Sequence, residues 1–254
     1  MKHNIAVSFT DENKIADAQQ LATKLSLPLI TDFETATFDW ILLYNQQGLG
    51  LYRPPEKLSS FFYIDFLAGK LFYRLQQASL KKELLARAIG ISPREQPVII
   101  DATAGLGRDS LILAALGFNM ILLERSPIIH ALLNDAMQRA LINPVLAPII
   151  KRMQLISADA IPWLLNQSAD VVYLDPMFPE RQKSASVKKE MVILQELLGN
   201  DMDSEKLLEM ALTCARRRVV VKRPRLAGMV ANKKPDFSLT GKSSRFDVYL
   251  TRVV

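Results

Sequence analysis

From about residue 96 onward, short apolar runs rich in Val and Ile alternate with segments whose apolar residues recur at helical spacing. A period of two predicts strands and a period near 3.6 predicts helices. The predicted strands are residues 98–101, 120–124, 153–157, 171–175 and 219–222. Helices are predicted at 109–116, from Pro127 to about residue 140, at 187–198 and at 204–216. Gly117 ends the first of these, and Asn143-Pro144 with Pro148 breaks the second. The tail, at 237–240 and 246–251 around Gly241-Lys242-Ser243-Ser244, reads as a closing hairpin with one strand antiparallel to the others. Regular alternation of strand and helix marks a parallel sheet built from right-handed crossovers.

Residues before this region follow another pattern. A strand is predicted at 4–9 and a helix at 11–25 behind the acidic pair Asp11-Glu12. Residues 40–44 and 49–53 form a predicted hairpin closed by Asn45-Gln46-Gln47-Gly48, and Pro54-Pro55 ends it. Another strand is expected at 61–66, then one long amphipathic helix at 70–89 stopped by Gly90. The aromatics Phe61, Phe62, Tyr63, Phe66, Phe72 and Tyr73 read as core rather than as a base-stacking platform. The expected organisation is a small N-terminal α+β module over residues 1–75 and an α/β domain over residues 76–254.

Composition narrows the class. A chain of 254 residues with 49% hydrophobic and 23% charged residues can bury one full α/β core plus a small module. The single cysteine, Cys214, excludes an internal disulfide and suits a reducing, cytoplasmic setting. No secretory leader is read before Asp11, and no apolar run approaches the roughly 18–20 residues that span a bilayer. His3 and His130 offer no metal-ligand cluster, so neither a membrane nor a metal is expected. The formal net charge is +6 with an isoelectric point near 9.4. The basic excess is expected to be clustered: Arg216-Arg217-Arg218, Lys222-Arg223-Pro224-Arg225 and Lys233-Lys234 lie close together, and Arg181, Lys183, Lys188 and Lys189 follow the Asp-Pro-Met-Phe stretch. A polyanion such as nucleic acid is the natural partner; a basic solvated face is the plainer alternative.

Two strand ends carry candidate chemistry. Val98-Ile99-Ile100-Asp101-Ala102-Thr103-Ala104-Gly105-Leu106-Gly107-Arg108-Asp109-Ser110 is a strand, a glycine-bearing turn and a helix N-terminus, a site for a nucleotide-like ligand. The dinucleotide pattern G-x-G-x-x-G fails at Ser110. The D-x-G-x-G-x-G turn of class I methyltransferases fits, with Thr103 in place of its first glycine. The second end, Val171-Val172-Tyr173-Leu174-Asp175-Pro176-Met177-Phe178-Pro179, resembles the (Asn/Asp)-Pro-Pro-(Tyr/Phe) signature of methyltransferases acting on exocyclic amines. These patterns imply a Rossmann-like, seven-stranded sheet using S-adenosylmethionine. Asp101 would receive the methionine end, Glu124 the ribose diol, and Asp159 the adenine amino group. Asp175 and the Pro176 carbonyl would hold the acceptor amine while Phe178 stacks on the base.

The resemblance is more specific still. Residues 101–109, Leu123-Glu124-Arg125, residues 171–179, Gln182-Lys183-Ser184-Ala185, Val187-Lys188-Lys189-Glu190-Met191, Val219-Val220-Val221-Lys222-Arg223-Pro224 and Arg245-Phe246-Asp247 together resemble the RsmJ family. That family comprises bacterial small-subunit (16S) ribosomal RNA guanine-N2 methyltransferases, and the likeness covers most of residues 60–250. It implies cofactor contacts at Arg108, Asp109, Glu124, Arg125, Asp159, Ala160 and Asp175, beside the turn residues Asp101, Gly105 and Gly107. It implies ribosomal RNA or the small subunit as partner. The basic residues after the fourth predicted strand (Arg181, Lys183, Lys188, Lys189) and after the fifth (Lys222, Arg223, Arg225) are expected, from charge and position, to rim the sheet edge that presents Asp175 and hold the RNA there. The chain departs from the family at Asp159-Ala160, where small residues are usual, and at Gln76-Gln77-Ala78-Ser79, where a glycine-rich stretch is usual. Other readings compatible with the residues are methyl transfer to another nucleic acid or a protein amide, a nicotinamide-dependent oxidoreductase, and a binding-only RNA protein. The target nucleotide and the oligomeric state are not legible.

Overall fold

The computed structural model describes residues 3–33, 37–54, 56, 61–176, 193, 196–197 and 203–251. The chain divides into two units, one of residues 1–65, 131–139 and 182–199, the other of residues 66–130, 140–181 and 200–254.

In the first unit, β1 (Ile5–Phe9), β2 (Trp40–Asn45), β3 (Gly48–Tyr52) and β4 (Phe62–Tyr63) form one sheet in that order. β1 is parallel to β2, and the remaining pairs are antiparallel. α1 (Ile15–Leu25) makes the crossover between β1 and β2. It starts later than the acidic pair suggests, because Asp11 first caps a short 3-10 turn by accepting from the Asn13 N–H. Ile41, Leu43, Phe33 and Tyr52 pack as a core, the last two rings edge to face at 5.6 Å. The strand expected at 61–66 shrinks to two residues.

The second unit opens with α2 (Gly69–Gln77) and α3 (Leu84–Ile89) instead of one long helix. Ser79 accepts the Lys82 and Glu83 N–H groups through its carbonyl, Ala78 is extended, and the helix breaks. Gly90 ends α3 with φ of 61°, as expected of that residue. Tyr73, expected in the core, is 68% exposed, whereas Phe66 is buried.

A seven-stranded sheet follows, in the order β10 (Phe237–Thr240), β11 (Ser244–Leu250), β9 (Ala215–Pro224), β8 (Ala169–Leu174), β5 (Val98–Asp101), β6 (Asn119–Glu124) and β7 (Met153–Ser157). β9, β8, β5, β6 and β7 run parallel, and β11 is antiparallel to both neighbours. The inner strands share a buried apolar middle, Ile99, Ile100, Val171, Val172 and Val219–Val221, as a sheet covered on both faces requires. α4 (Arg108–Ala115), α5 (Pro127–Leu141), α6 (Ala147–Ile150), α7 (Ala160–Leu164) and α8 (Ser204–Cys214) are the further helices among the described residues. Cys214 closes α8 and is buried like a small apolar residue. β9 begins earlier than predicted, taking Arg216–Arg218 into the strand. Arg216 and Arg217 lie beside Asp170 at 3.6 and 3.5 Å, and Arg217 also bonds Glu95 at 2.9 Å. Tertiary partners thus override the helical spacing. The helix expected at 187–198 lies largely outside the described residues.

α4 carries the acid Asp109 in its first turn and is anchored by Leu111, which is fully buried. Leu111→Ala should lower the free energy of unfolding by about 2–5 kcal/mol, the usual range for a buried leucine truncation. Urea denaturation reads this directly; a midpoint unchanged from wild type would show that α4 is not held by its core face.

Candidate active site

The turn after β5 is stitched to the strands on either side. The Ala102 N–H donates to the Tyr173 carbonyl of β8, and the Ala104 N–H to the Leu123 carbonyl of β6, both at 3.0 Å. Gly105 and Gly107 have φ of 51° and 69°, a left-handed conformation that a side chain disfavours. A methyl added at Gly105 would meet nothing nearer than the Thr103 carbonyl at 3.8 Å, so the turn's face at that point is open. Thr103, the departure from the glycine pattern, has a task of its own. Its Oγ1 accepts the Asp175 N–H at 2.6 Å and ties the tip of β8 to this turn.

Two acids border the turn. Asp101 is 2% exposed; it accepts the Thr103 N–H at 3.1 Å and the Ser110 hydroxyl. Glu124, at the tip of β6, accepts the Gly105 N–H at 2.9 Å and the Ser126 N–H at 2.7 Å. Burial pushes both carboxyls up to about 7, against the pull of those hydrogen bonds.

A third acid behaves oppositely. Asp109 Oδ2 accepts from the Lys222 Nζ at 2.7 Å and the Tyr173 hydroxyl at 2.8 Å, while Oδ1 accepts from Arg74 at 3.0 Å. Burial would raise its pKa, but Lys222 and Arg74 outweigh it and bring the carboxyl down to about 2. The same Lys222 Nζ reaches Asp175 Oδ2 at 2.7 Å. Strand alternation explains the meeting: Tyr173 pairs with Val220, so Asp175 and Lys222, each two residues further on, share one face of the sheet. Burial and the neighbouring carboxylates raise the Tyr173 pKa far above its ordinary value, so its hydroxyl remains a donor. Arg74, Tyr173 and Thr103 were not foreseen as site residues. The alternation of Tyr173 with Asp175 was the available signal; Arg74 had none, since it arrives from α2.

Asp101, Gly105, Gly107, Asp109, Glu124, Asp175 and the buried Pro176 are therefore brought together at the carboxyl ends of β5, β6 and β8. Arg108 opens α4 beside them. Asp159 is exposed just past β7 and caps α7 by accepting the Ile161 N–H at 3.0 Å; Ala160 is buried behind it. Arg125 is exposed and pairs with Asp203 at 2.8 Å. Of the residues expected to face RNA, Arg225 is exposed. Lys222 and Arg223 are placed differently: Lys222 is committed to two carboxylates, and Arg223 is buried, donating to the Gly228 carbonyl at 2.8 Å. Arg216 and Lys222 do not form one cluster, because about 20 Å of extended strand separates them. Phe178, Arg181, Lys183, Lys188 and Lys189 lie outside the described residues.

The raised acids have a consequence for stability. A carboxyl whose folded pKa lies above its unfolded value near 4 stabilises the fold below that value, and the contribution is lost as pH rises through about 7. Asp109, depressed, acts in the opposite sense and only below about pH 4. Asp101→Asn keeps the acceptor for Thr103 and should therefore flatten the decline in unfolding free energy between about pH 4 and 7. Urea melts of the ligand-free protein across that range check it; wild-type and variant curves that stay parallel would mean that Asp101 does not titrate there.

The comparisons with known proteins agree with this geometry. A family model of SAM-dependent methyltransferases matches residues 20–251. A protein named ribosomal RNA small subunit methyltransferase J from Nitrosococcus oceani is 47% identical over 98% of this chain and 99% of its own length. One of the same name from Thioalkalivibrio sulfidiphilus is 45% identical over 97% and 98%. The crystal structure of a SAM-dependent methyltransferase from Neisseria gonorrhoeae superposes with a TM-score of 0.74 at 33% identity, covering 96% of this chain and 95% of that one. With the parallel sheet, the glycine turn and the Asp175-Pro176 tip already in place, these matches exclude the nicotinamide reading: the chain belongs to the ribosomal RNA small subunit methyltransferase J family of S-adenosylmethionine-dependent methyltransferases.

Proposed function

We propose that this chain transfers the methyl group of S-adenosylmethionine to the exocyclic N2 amine of a guanosine in small-subunit (16S) ribosomal RNA. The observation that carries the reading is the bond from the Asp175 N–H to Thr103 Oγ1, which ties the tip of β8, the proposed amine site, to the glycine turn, the proposed cofactor site. The names of the relatives support the RNA substrate, and the resemblance in residues 171–191 and 219–224 supports the guanine amine.

The residues present fit the cofactor. Asp101 is a buried acid whose donors among the described residues are neutral, suited to a cationic methionine end. Glu124 keeps acceptor capacity on each oxygen beyond its two backbone bonds, enough for two ribose hydroxyls. Asp159, exposed past β7, is the proposed adenine partner, and Arg108, Asp109, Arg125 and Ala160 are the further cofactor contacts that the resemblance implies. When bound, S-adenosylmethionine supplies a methyl carbon activated by its sulfonium.

The protein's own contribution is alignment. The lone pair of an exocyclic aromatic amine is delocalised into the ring, so the amine is a poor nucleophile. Hydrogen bonds from its N–H groups to the Asp175 carboxylate and the Pro176 carbonyl would turn that lone pair toward the methyl. Phe178 is the proposed stacking partner of the flipped base, and extrusion favours a loop or an already exposed nucleotide. Arg181, Lys183, Lys188, Lys189 and Arg225 are proposed to hold phosphates, which position RNA without reading its sequence. A cytoplasmic location accords with this substrate; among the described residues no helix is long and apolar enough to cross a membrane.

Asp175→Ala should keep its melting transition and S-adenosylmethionine affinity yet lose methyl transfer by orders of magnitude, read as labelled methyl incorporation into 16S RNA and by mass spectrometry of its nucleosides. Methylation at the wild-type rate would overturn the reading. Glu124→Ala should weaken S-adenosylmethionine binding by about 1.5–3 kcal/mol, as expected for a hydrogen bond to a charged group. Calorimetry returning the wild-type affinity would remove Glu124 from the ribose.

A further inference from the structure

One ammonium joins two carboxylates that belong to different parts of the site. Lys222 Nζ lies 2.7 Å from Asp109 Oδ2, in the first turn of α4, and 2.7 Å from Asp175 Oδ2, at the tip of β8. Asp109 cannot drift, because the Tyr173 hydroxyl holds the same Oδ2 at 2.8 Å and Arg74 holds Oδ1 at 3.0 Å. Arg74 is itself fixed by Glu83, at 2.8 Å. Asp175 is the more exposed of the two acids, with 39% of its side chain accessible against 12% for Asp109. Lys222 therefore connects an accessible carboxylate to an immobile one.

We propose that Lys222 is a positioning residue for methyl transfer: its ammonium fixes the Asp175 carboxylate against the anchored Asp109 and so sets where the acceptor amine is held. The proposal rests on the reading that Asp175 receives that amine. Among the described residues, the charged or titratable side chains around Asp175 are Asp109 from α4, Arg74 from α2, Asp101 from β5, Tyr173 from β8 and Lys222 from β9. Among these, Lys222 is the cation that bonds both acids. Without it, Asp109 and Asp175 would face each other as like charges, and Asp175 would lose its tie to the anchored acid. That loss costs the alignment on which a poor nucleophile depends. An arginine would retain the charge, but its planar fork cannot occupy the point that a single Nζ occupies between two oxygens.

The test compares Lys222→Met, Lys222→Arg and Asp175→Ala in the full-length protein, with 16S RNA as substrate. Lys222→Met should lower kcat by about 100-fold, the penalty typical of a reacting group displaced by an ångström. KM for RNA and the S-adenosylmethionine affinity should stay near wild type. The acid limb of its kcat–pH profile should move to higher pH, because a carboxylate deprived of its cation protonates more readily. Lys222→Arg should fold, bind the cofactor and still lose kcat, so it decides the matter if the Met variant does not fold. Either variant with wild-type kcat and an unmoved acid limb would overturn the proposal. So would a loss of kcat matched by an equal loss of cofactor affinity and melting temperature, the pattern of a merely structural lysine. If Asp175→Ala is active, the reading of Asp175 itself falls; if it is inactive while the Lys222 variants are normal, only the role of Lys222 falls.

Discussion

Parallel pairing of β5, β8 and β9 is the constraint on which the rest of this site depends. Asp101 pairs with Tyr173, and Tyr173 with Val220. In a parallel sheet, paired residues share a face and strand ends share an edge. One register therefore delivers Asp101, Tyr173, Asp175 and Lys222 to the same side of the same edge. Helix α4, launched from that edge, adds Asp109. A slip of one residue in any of these strands would send that strand's groups to the opposite face. The buried valines and isoleucines that make the register costly to change are thus part of the chemistry, although none of them carries a functional group.

The charges at this edge are managed in two ways. Asp109 is compensated within the protein by Lys222, Arg74 and Tyr173, and its carboxyl is held well below the usual range. Among the described residues Asp101 and Glu124 accept from neutral donors, and burial pushes both up to about 7. A compensated acid is a rigid anchor. An acid left with neutral partners in a buried place retains unused attraction for a cation or a hydroxyl, which is what the proposed cofactor offers at those two positions. The division into anchor and receiver follows from the number of basic side chains within reach of each acid.

Much of this was legible along the chain. The five parallel strands, the closing hairpin, the glycine turn and the three strand-tip acids all follow local rules: period two, a carboxylate at a strand end, glycine where φ is positive. The errors arose where local rules compete with distant partners. Residues 70–89 look like one helix by spacing, but Ser79 bonds its own neighbours and Glu83 is engaged by Arg74. Arg216–Arg218 continue a helical pattern, yet Asp170 and Glu95 draw two of them into β9. Lys222 and Arg223 carry the composition of a phosphate site, and charge alone cannot say whether a lysine faces solvent or an acid.

The sequence by itself determined the fold class, the order of strands and helices, and which carboxylates stand at strand tips, because each is set by residues within a few positions of one another. Only the tertiary structure decided which of those groups meet. Thr103 read as a departure from a glycine pattern until Asp175, 72 residues away, was found bonded to it. Lys222 read as a contact for RNA until two carboxylates, 113 and 47 residues away, were found on its ammonium. Hydrogen bonds and ion pairs act over about 3 Å of space whatever the separation along the chain, and only folding brings such groups within that distance.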